Sequence, residues 1–173
     1  MDFTIYMACS INGFIATEDG NEDFLFYRNY EVMLDLLKEY NALIWGRKTF
    51  ENVISWGENY LDDLKNTNVI VLSKNKEKLL DLPNVYYCDS FDSCIKLCEQ
   101  KQFNKLLISG GATINNLFME KKVVTKIILN YNPYVLNKGI SLFNGSYFEN
   151  KLQLLNIVEE KDGIVQIHYK VEQ

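Results

Sequence analysis

No stretch of this chain is apolar for long enough to cross a bilayer as a helix, and no basic face runs along it. Acidic residues outnumber Lys and Arg by 23 to 18, for a net charge of −5. The first absence excludes a helical membrane protein. The second excludes nonspecific nucleic-acid binding through a cationic surface, and the tyrosines are spread along the chain rather than interleaved with basic residues. The start carries Asp2 where a secretory leader would carry cations, so the expected location is cytoplasmic. Cys9, Cys88, Cys94 and Cys98 form no Cys-x-x-Cys pair, and His168 is the single histidine. A Cys/His zinc site therefore lacks ligands, and buried free thiols are expected, with no zinc or other metal and no disulfide. Neither GxGxxG nor GxxxxGK[ST] occurs, which removes the usual Rossmann and P-loop readings. Repeats, low-complexity tracts and linkers are missing too. Residues 1–173 read as a single domain, 47% apolar and 24% charged, long enough to bury a sizeable core.

What is present alternates between two periods. Phe3, Ile5 and Met7 alternate with Thr4, Tyr6 and Ala8, as in a strand. A loop rich in Asp, Gly, Asn and Glu covers Thr17 to Asp23. Tyr30, Met33, Leu34, Leu37 and Tyr40 then recur at helical spacing, opposite Glu31, Asp35, Lys38 and Glu39. Ala42–Trp45 is a short apolar run that leads into Gly46-Arg47-Lys48-Thr49 and a further helix. Asn68–Ser73 and Val85–Cys88 read as strands. Ser90 is placed to cap a helix over Phe91–Lys101. Lys105–Phe118 (KLLISGGATINNLF) gives strand, glycine turn and helix, and Lys126–Tyr131 gives a strand before Pro133 and the loop Leu136–Leu142. The end reads as a hairpin, Leu152–Val158 and Ile164–Val171 about a turn at Asp162-Gly163. The pattern predicts an α/β domain with a mixed sheet.

Three strand ends carry groups suited to phosphate. Gly110-Gly111 lets backbone approach an anion closely, and Thr113 is placed to help open the helix that follows. Arg47, Lys48 and Thr49 supply two cations and a hydroxyl at a second strand-to-helix turn, and Ser73-Lys74 adds a hydroxyl and a third cation after another strand. Open α/β sheets bind ligands beyond the carboxyl ends of their strands, where these segments lie. Trp45 reads as core and Trp56 as a pocket rim. His168 falls on the polar face of the last strand, which makes it structural or exposed.

The segments 8–16 (ACSINGFIA), 46–51 (GRKTFE), 69–73 (VIVLS) and 108–112 (ISGGA) occur in the order and spacing of the dihydrofolate reductase fold. The stretches 133–143 (PYVLNKGISLF) and 163–169 (GIVQIHY) more specifically resemble the reductase domain of the bifunctional riboflavin-biosynthesis enzyme and its stand-alone bacterial relatives. The resemblance spans essentially the whole chain. It implies a three-layer fold with a mainly parallel central sheet and a C-terminal antiparallel hairpin. It also implies NADPH, with Ala8 and Ile15 flanking the nicotinamide and Gly46, Arg47, Lys48, Thr49, Ser73 and Lys74 at the phosphates. Ser109, Gly110, Gly111, Ala112 and Thr113 would form the glycine turn against the pyrophosphate, often with a cis peptide. Homodimers are common in that branch, and the terminal hairpin offers apolar strands for the contact.

Two departures concern acids. Dihydrofolate reductases carry a carboxylate on the helix after the first loop, and that position falls near Tyr30 here. The riboflavin branch usually has Asp where this chain has Asn12. Asp23, Glu31 and Asn12 are the weak catalytic candidates, with Glu31 and Asp35 expected on a solvated helix face. The reading that follows is an NADPH-dependent reductase of a small pyrimidine- or pteridine-type heterocycle, resembling 5-amino-6-(5-phosphoribosylamino)uracil reductase. Dihydrofolate reduction is the alternative, then a nucleotide-binding protein without turnover, and last a purely structural or interaction domain.

Overall fold

A computed structural model describes residues 1–75 and 77–172. Ten strands and five α-helices follow one another as β1 (Asp2–Ser10), β2 (Phe14–Ala16), α1 (Arg28–Leu37), β3 (Ala42–Gly46), α2 (Arg47–Ser55), α3 (Glu58–Asp63), β4 (Asn68–Leu72), β5 (Val85–Cys88), α4 (Phe91–Lys101), β6 (Lys105–Ile108), α5 (Ala112–Glu120), β7 (Val124–Asn132), β8 (Ile140–Ser141), β9 (Leu152–Glu159) and β10 (Val165–Val171). Eight strands form one sheet in the order β5-β4-β3-β6-β1-β7-β10-β9, while β2 and β8 pair separately. From β5 to β7 every neighbour is parallel, and β10 and β9 then add antiparallel. The mixed sheet and terminal hairpin match the sequence pattern.

The sheet buries both faces, so its central strands must be apolar on both. Phe3, Ile5, Ile44, Ile70, Leu106 and Ile108 face α4 and α5, where they meet Cys94, Cys98, Phe118 and Met119. Leu43, Trp45, Val69, Val71, Leu107 and Ile128 face α1 and α2, where they meet Val32, Met33, Leu37, Phe50 and Val53. That accounts for the unbroken run ALIWG in β3. The four cysteines are buried and free. Ser90 caps α4 as its position predicts, and its hydroxyl and that of Ser93 each accept the other's backbone N–H. The elements that periodicity missed are short: β2, β8 and α3.

A buried amide cluster fastens α1 to the sheet. The Tyr6 hydroxyl donates to the Asn29 carbonyl at 2.6 Å. Asn130 Nδ2 donates to Asn29 Oδ1 and to the Tyr6 oxygen, both at 3.0 Å. Asn29 Nδ2 reaches Asn132 Oδ1 at 2.8 Å, and Gln166 Nε2 reaches Asn130 Oδ1 at 2.9 Å. His168 Nε2 continues the chain to Gln166 Oε1 at 2.6 Å. His168 is half-buried, and burial together with the Lys126 charge lowers its pKa. Its role is structural, as its place on the strand suggested. At the surface, Arg28 extends the tie by an ion pair to Glu160 at 2.9 Å, at the end of the terminal hairpin.

Because each amide in the cluster satisfies another in a low-dielectric interior, removing one strands several. Asn130→Ala should lower unfolding free energy by about 2–4 kcal/mol. A urea midpoint unchanged from wild type would show that the cluster carries no such weight.

Candidate active site

Parallel strands end together, so the carboxyl ends of β4, β3, β6 and β1 share one edge of the sheet. Two of the turns there are stitched to each other. The Gly46 N–H donates to the Gly110 carbonyl at 2.8 Å, and the Ser109 N–H donates to the Ile44 carbonyl at 3.1 Å. Gly110-Gly111 is a cis peptide, and Gly110 has a φ of 90°. Helices α2 and α5 start beside each other at Gly46 and Gly111, each without a side-chain cap. Their first-turn N–H groups and the positive ends of both helices therefore point to one place, a natural cradle for an anion. The space is tight as well: a Cβ on Gly111 would lie 3.3 Å from Thr49 Oγ1, and one on Gly46 only 2.8 Å from Ile114 Cγ1.

From this cradle a cavity of about 580 Å³ runs between the sheet edge and helices α1, α2 and α3. Ala8, Ile15, Thr49, Ser109 and Gly111 line it. Gly46 and Gly110 are buried behind the wall, and Ala112 is buried in the first turn of α5. Ser73 is half-buried just past β4, its hydroxyl accepting the Asn75 N–H at 3.1 Å. Lys48, Lys74 and Thr113 are exposed. Thr113 does not cap α5, because the helix already opens at Gly111. Arg47 does not reach into the cavity: its guanidinium donates to Glu51 Oε1 at 2.8 Å and to the Glu77 carbonyl at 2.6 Å.

The weak catalytic candidates from the sequence divide differently. Asn12 lies outside the cavity lining and clamps a loop, donating to the Leu136 carbonyl at 2.7 Å and accepting from Ser10 Oγ at 2.8 Å. Glu31 is exposed and pairs with Arg28 at 3.2 Å. Asp23 touches the cavity mouth but is exposed, and it accepts from Asn21 Nδ2 at 2.8 Å.

A further carboxyl stands one residue earlier in the chain. Glu22 lines the cavity and is half-buried, and Asn52 of α2 lines the same cavity. Burial pushes its pKa up to about 7, with the Asn52 contact opposing part of that rise. A carboxyl poised near neutrality beside a ligand cavity is suited to proton transfer. Sequence reasoning passed over Glu22 because a loop has no period to read. Asn52 left a trace: Thr49, Asn52, Val53 and Trp56 all line the cavity and recur at one-face helical spacing.

The far wall is aromatic. Tyr30 packs edge-to-face on Tyr60 with ring centres 4.8 Å apart, Trp56 edge-to-face on Tyr60 at 5.3 Å, and Tyr27 tilted against Tyr30 at 5.8 Å. Trp45 is buried yet contributes to the lining, and Trp56 is exposed at the rim. Such a wall suits a planar ring.

Comparison with known proteins places these features. The model for the RibD C-terminal domain matches residues 3–166. The uncharacterized protein YwjB of Bacillus subtilis strain 168 is 27% identical over 168 residues, covering 95% of each chain. A putative riboflavin biosynthesis protein from Shewanella sp. PV-4 superposes with a TM-score of 0.80 at 24% identity, covering 100% of both chains. A diaminohydroxyphosphoribosylaminopyrimidine deaminase/5-amino-6-(5-phosphoribosylamino)uracil reductase from Thermotoga maritima superposes at 0.74 with 15% identity, over 99% of this chain and 56% of that one. These structures share the fold.

Glu22 has a signature in stability. Its folded pKa lies above its unfolded value, so the native state keeps a proton that the unfolded chain loses as pH rises through the ordinary carboxylate range. The resulting destabilisation is absent below that range, grows toward pH 7 and is complete above it. Between pH 4 and pH 8 Glu22 should cost about 2–3 kcal/mol of stability. Urea unfolding of Glu22→Gln should show that component of the pH dependence gone and the protein more stable at pH 8. An unaltered pH profile would refute the assignment.

Proposed function

The chain belongs to the RibD C-terminal domain family, whose model matches residues 3–166, and from that premise we propose that it is an NADPH-dependent reductase of a small pyrimidine- or pteridine-type heterocycle. The observation that carries the reading is the pair of uncapped helix starts, α2 and α5, stitched together at one end of a cavity whose other end is aromatic. Two phosphates fit the first end and a planar ring the second. Where helix N-termini and glycine backbone already supply N–H donors, a dinucleotide pyrophosphate needs little else.

Under this reading the Ser109–Thr113 turn and Thr49 hold the pyrophosphate. Lys48, Lys74 and Ser73 stand outside it for the 2′-phosphate, together with Arg47, which Glu51 and the Glu77 carbonyl orient. Ala8 and Ile15 flank the place of the nicotinamide. The chemistry that NADPH supplies when bound is a hydride to a C=N or C=O bond. The protein's share is to align two rings, exclude water and furnish a proton. Met7, Ile15, Met33 and Val53 make the cavity apolar around its polar groups, and Glu22 is the carboxyl positioned to give a proton up. Its presence favours turnover over a nucleotide-binding protein without chemistry. Dihydrofolate reduction is the second reading, supported by the same cavity carboxyl, although it sits on the loop before α1 and the helix position itself is Tyr30.

We also propose a homodimer through the terminal hairpin. Strand β9 closes one edge of the sheet, and Leu154, Leu155 and Ile157 are about half-exposed there, at 51%, 50% and 56%. A long apolar edge strand invites pairing or covering. Sedimentation should find a dimer, and Leu154→Glu with Ile157→Glu should convert it to a monomer. A monomeric wild type at micromolar concentration would remove the proposal.

Tryptophan fluorescence tests the cofactor, since Trp45 adjoins Gly46 in the cavity wall. NADPH should quench it and bind at least tenfold more tightly than NADH, a difference of about 1.4 kcal/mol. Lys48→Ala combined with Lys74→Ala should erase most of that preference while leaving the fold intact, because both side chains are exposed. Failure of both nucleotides to bind would remove the reductase reading.

A further inference from the structure

Charge is segregated along the cavity. Arg47 and Lys48 open α2 and Lys74 follows β4, at the sheet edge that carries the glycine turn, and none of them lines the cavity. Among the described residues lining the cavity there is no Lys, Arg or His, whereas Glu22 and Asp23 both lie on it. The nearby cation on α1, Arg28, is already held by Glu160 at 2.9 Å and Glu31 at 3.2 Å. The same cavity is lined by the rings of Tyr27, Tyr30, Trp56 and Tyr60, packed against one another. The Tyr30 hydroxyl is already donated to the Tyr60 carbonyl at 3.1 Å.

We infer that the substrate end of this cavity takes a planar heterocycle that is neutral or cationic and carries no phosphate, with the Glu22 carboxyl and the Asn52 amide reading its N–H edge. The inference rests on the cavity serving a ring substrate, as proposed above, and narrows which ring. The Glu22 carboxyl on the lining and the Asp23 carboxyl at the mouth repel a phosphate dianion, and among the described lining residues no cation offsets them. Aromatic faces attract a protonated ring as well as a neutral one. A carboxylate accepting two parallel N–H groups of an amidine makes the strong, charge-assisted form of that contact. A pKa raised toward neutrality lets Glu22 serve both a neutral ring, as donor, and a protonated one, as acceptor.

The test is titration calorimetry of the full chain at pH 7 without nucleotide, using 2,4-diamino-6-hydroxymethylpteridine and its monophosphate ester. The two probes share a ring and differ only in the phosphate. The alcohol should bind, and the ester should bind at least tenfold more weakly. Glu22→Gln should weaken the alcohol about tenfold and narrow the gap between the two probes. Equal or tighter binding of the ester overturns the inference, as does ring binding indifferent to Glu22→Gln, or no binding of either probe. The comparison on wild-type protein needs no variant to fold. NADPH is titrated separately: loss of nucleotide binding with the ring preference retained defeats the reductase reading alone, and the converse defeats this inference alone.

Discussion

The buried amide cluster of Tyr6, Asn29, Asn130, Asn132 and Gln166 is the constraint on which the site depends. It joins the central strand β1 to β7 and β10 and holds the first turn of α1 against them. Apolar packing alone would leave α1 free to slide along the sheet, since one aliphatic contact is much like the next. Hydrogen bonds between buried amides admit only one register, because any slip leaves donors and acceptors unpaired in a medium without water. That register decides how far α1 stands from the sheet edge, and so whether a cavity exists. Tyr6 and Asn29 belong both to the cluster and to the cavity floor.

The other fixed point is the meeting of α2 and α5 at Gly46 and Gly111. Adjacent parallel strands deliver two helix starts to one place, and the Gly46–Gly110 hydrogen bond keeps them in step. Backbone supplies the donors, so the end suited to anions depends less on side chains than its basic sequence suggests. Arg47 illustrates this: its charge is engaged by Glu51 and a carbonyl rather than aimed into the cavity. The two ends of the site thus differ in electrostatic character. One is built of N–H groups and peripheral cations, the other of aromatic rings and carboxyls.

Much of this was legible in the chain. The run ALIWG, the pair Gly110-Gly111 and the alternation around Phe3–Ala8 marked the strands and turns that surround the cradle. Ser90 marked a helix start, and the polar face of α1 was correctly placed through Glu31 and Asp35. Less legible were elements too short to show a period, such as β2, α3 and β8. Asp23 was a weak candidate in the chain, and Glu22 beside it was passed over. Asp23 and Glu22 are neighbours in a loop without repeat, and only the path of that loop against α2 sends Glu22 toward Asn52 and leaves Asp23 in solvent. Asn12 looked like a substituted catalytic position and instead ties its loop to Leu136. Thr113 falls in the first turn of α5, as its place in the chain suggested, while Gly111 stands at the cap position.

The sequence by itself therefore determined the elements, their alternation and the presence of turns suited to phosphate, because those follow from periods and residue types that act over a few neighbours. Tertiary structure decided which carboxyl is drawn into the cavity lining, which cations are already paired, and that tyrosines from α1 and α3 and a tryptophan from the end of α2 form one wall. Those outcomes depend on side chains from separate elements meeting in space. No local period records such a meeting, and burial, which sets the protonation of Glu22, exists only once the chain has closed around it.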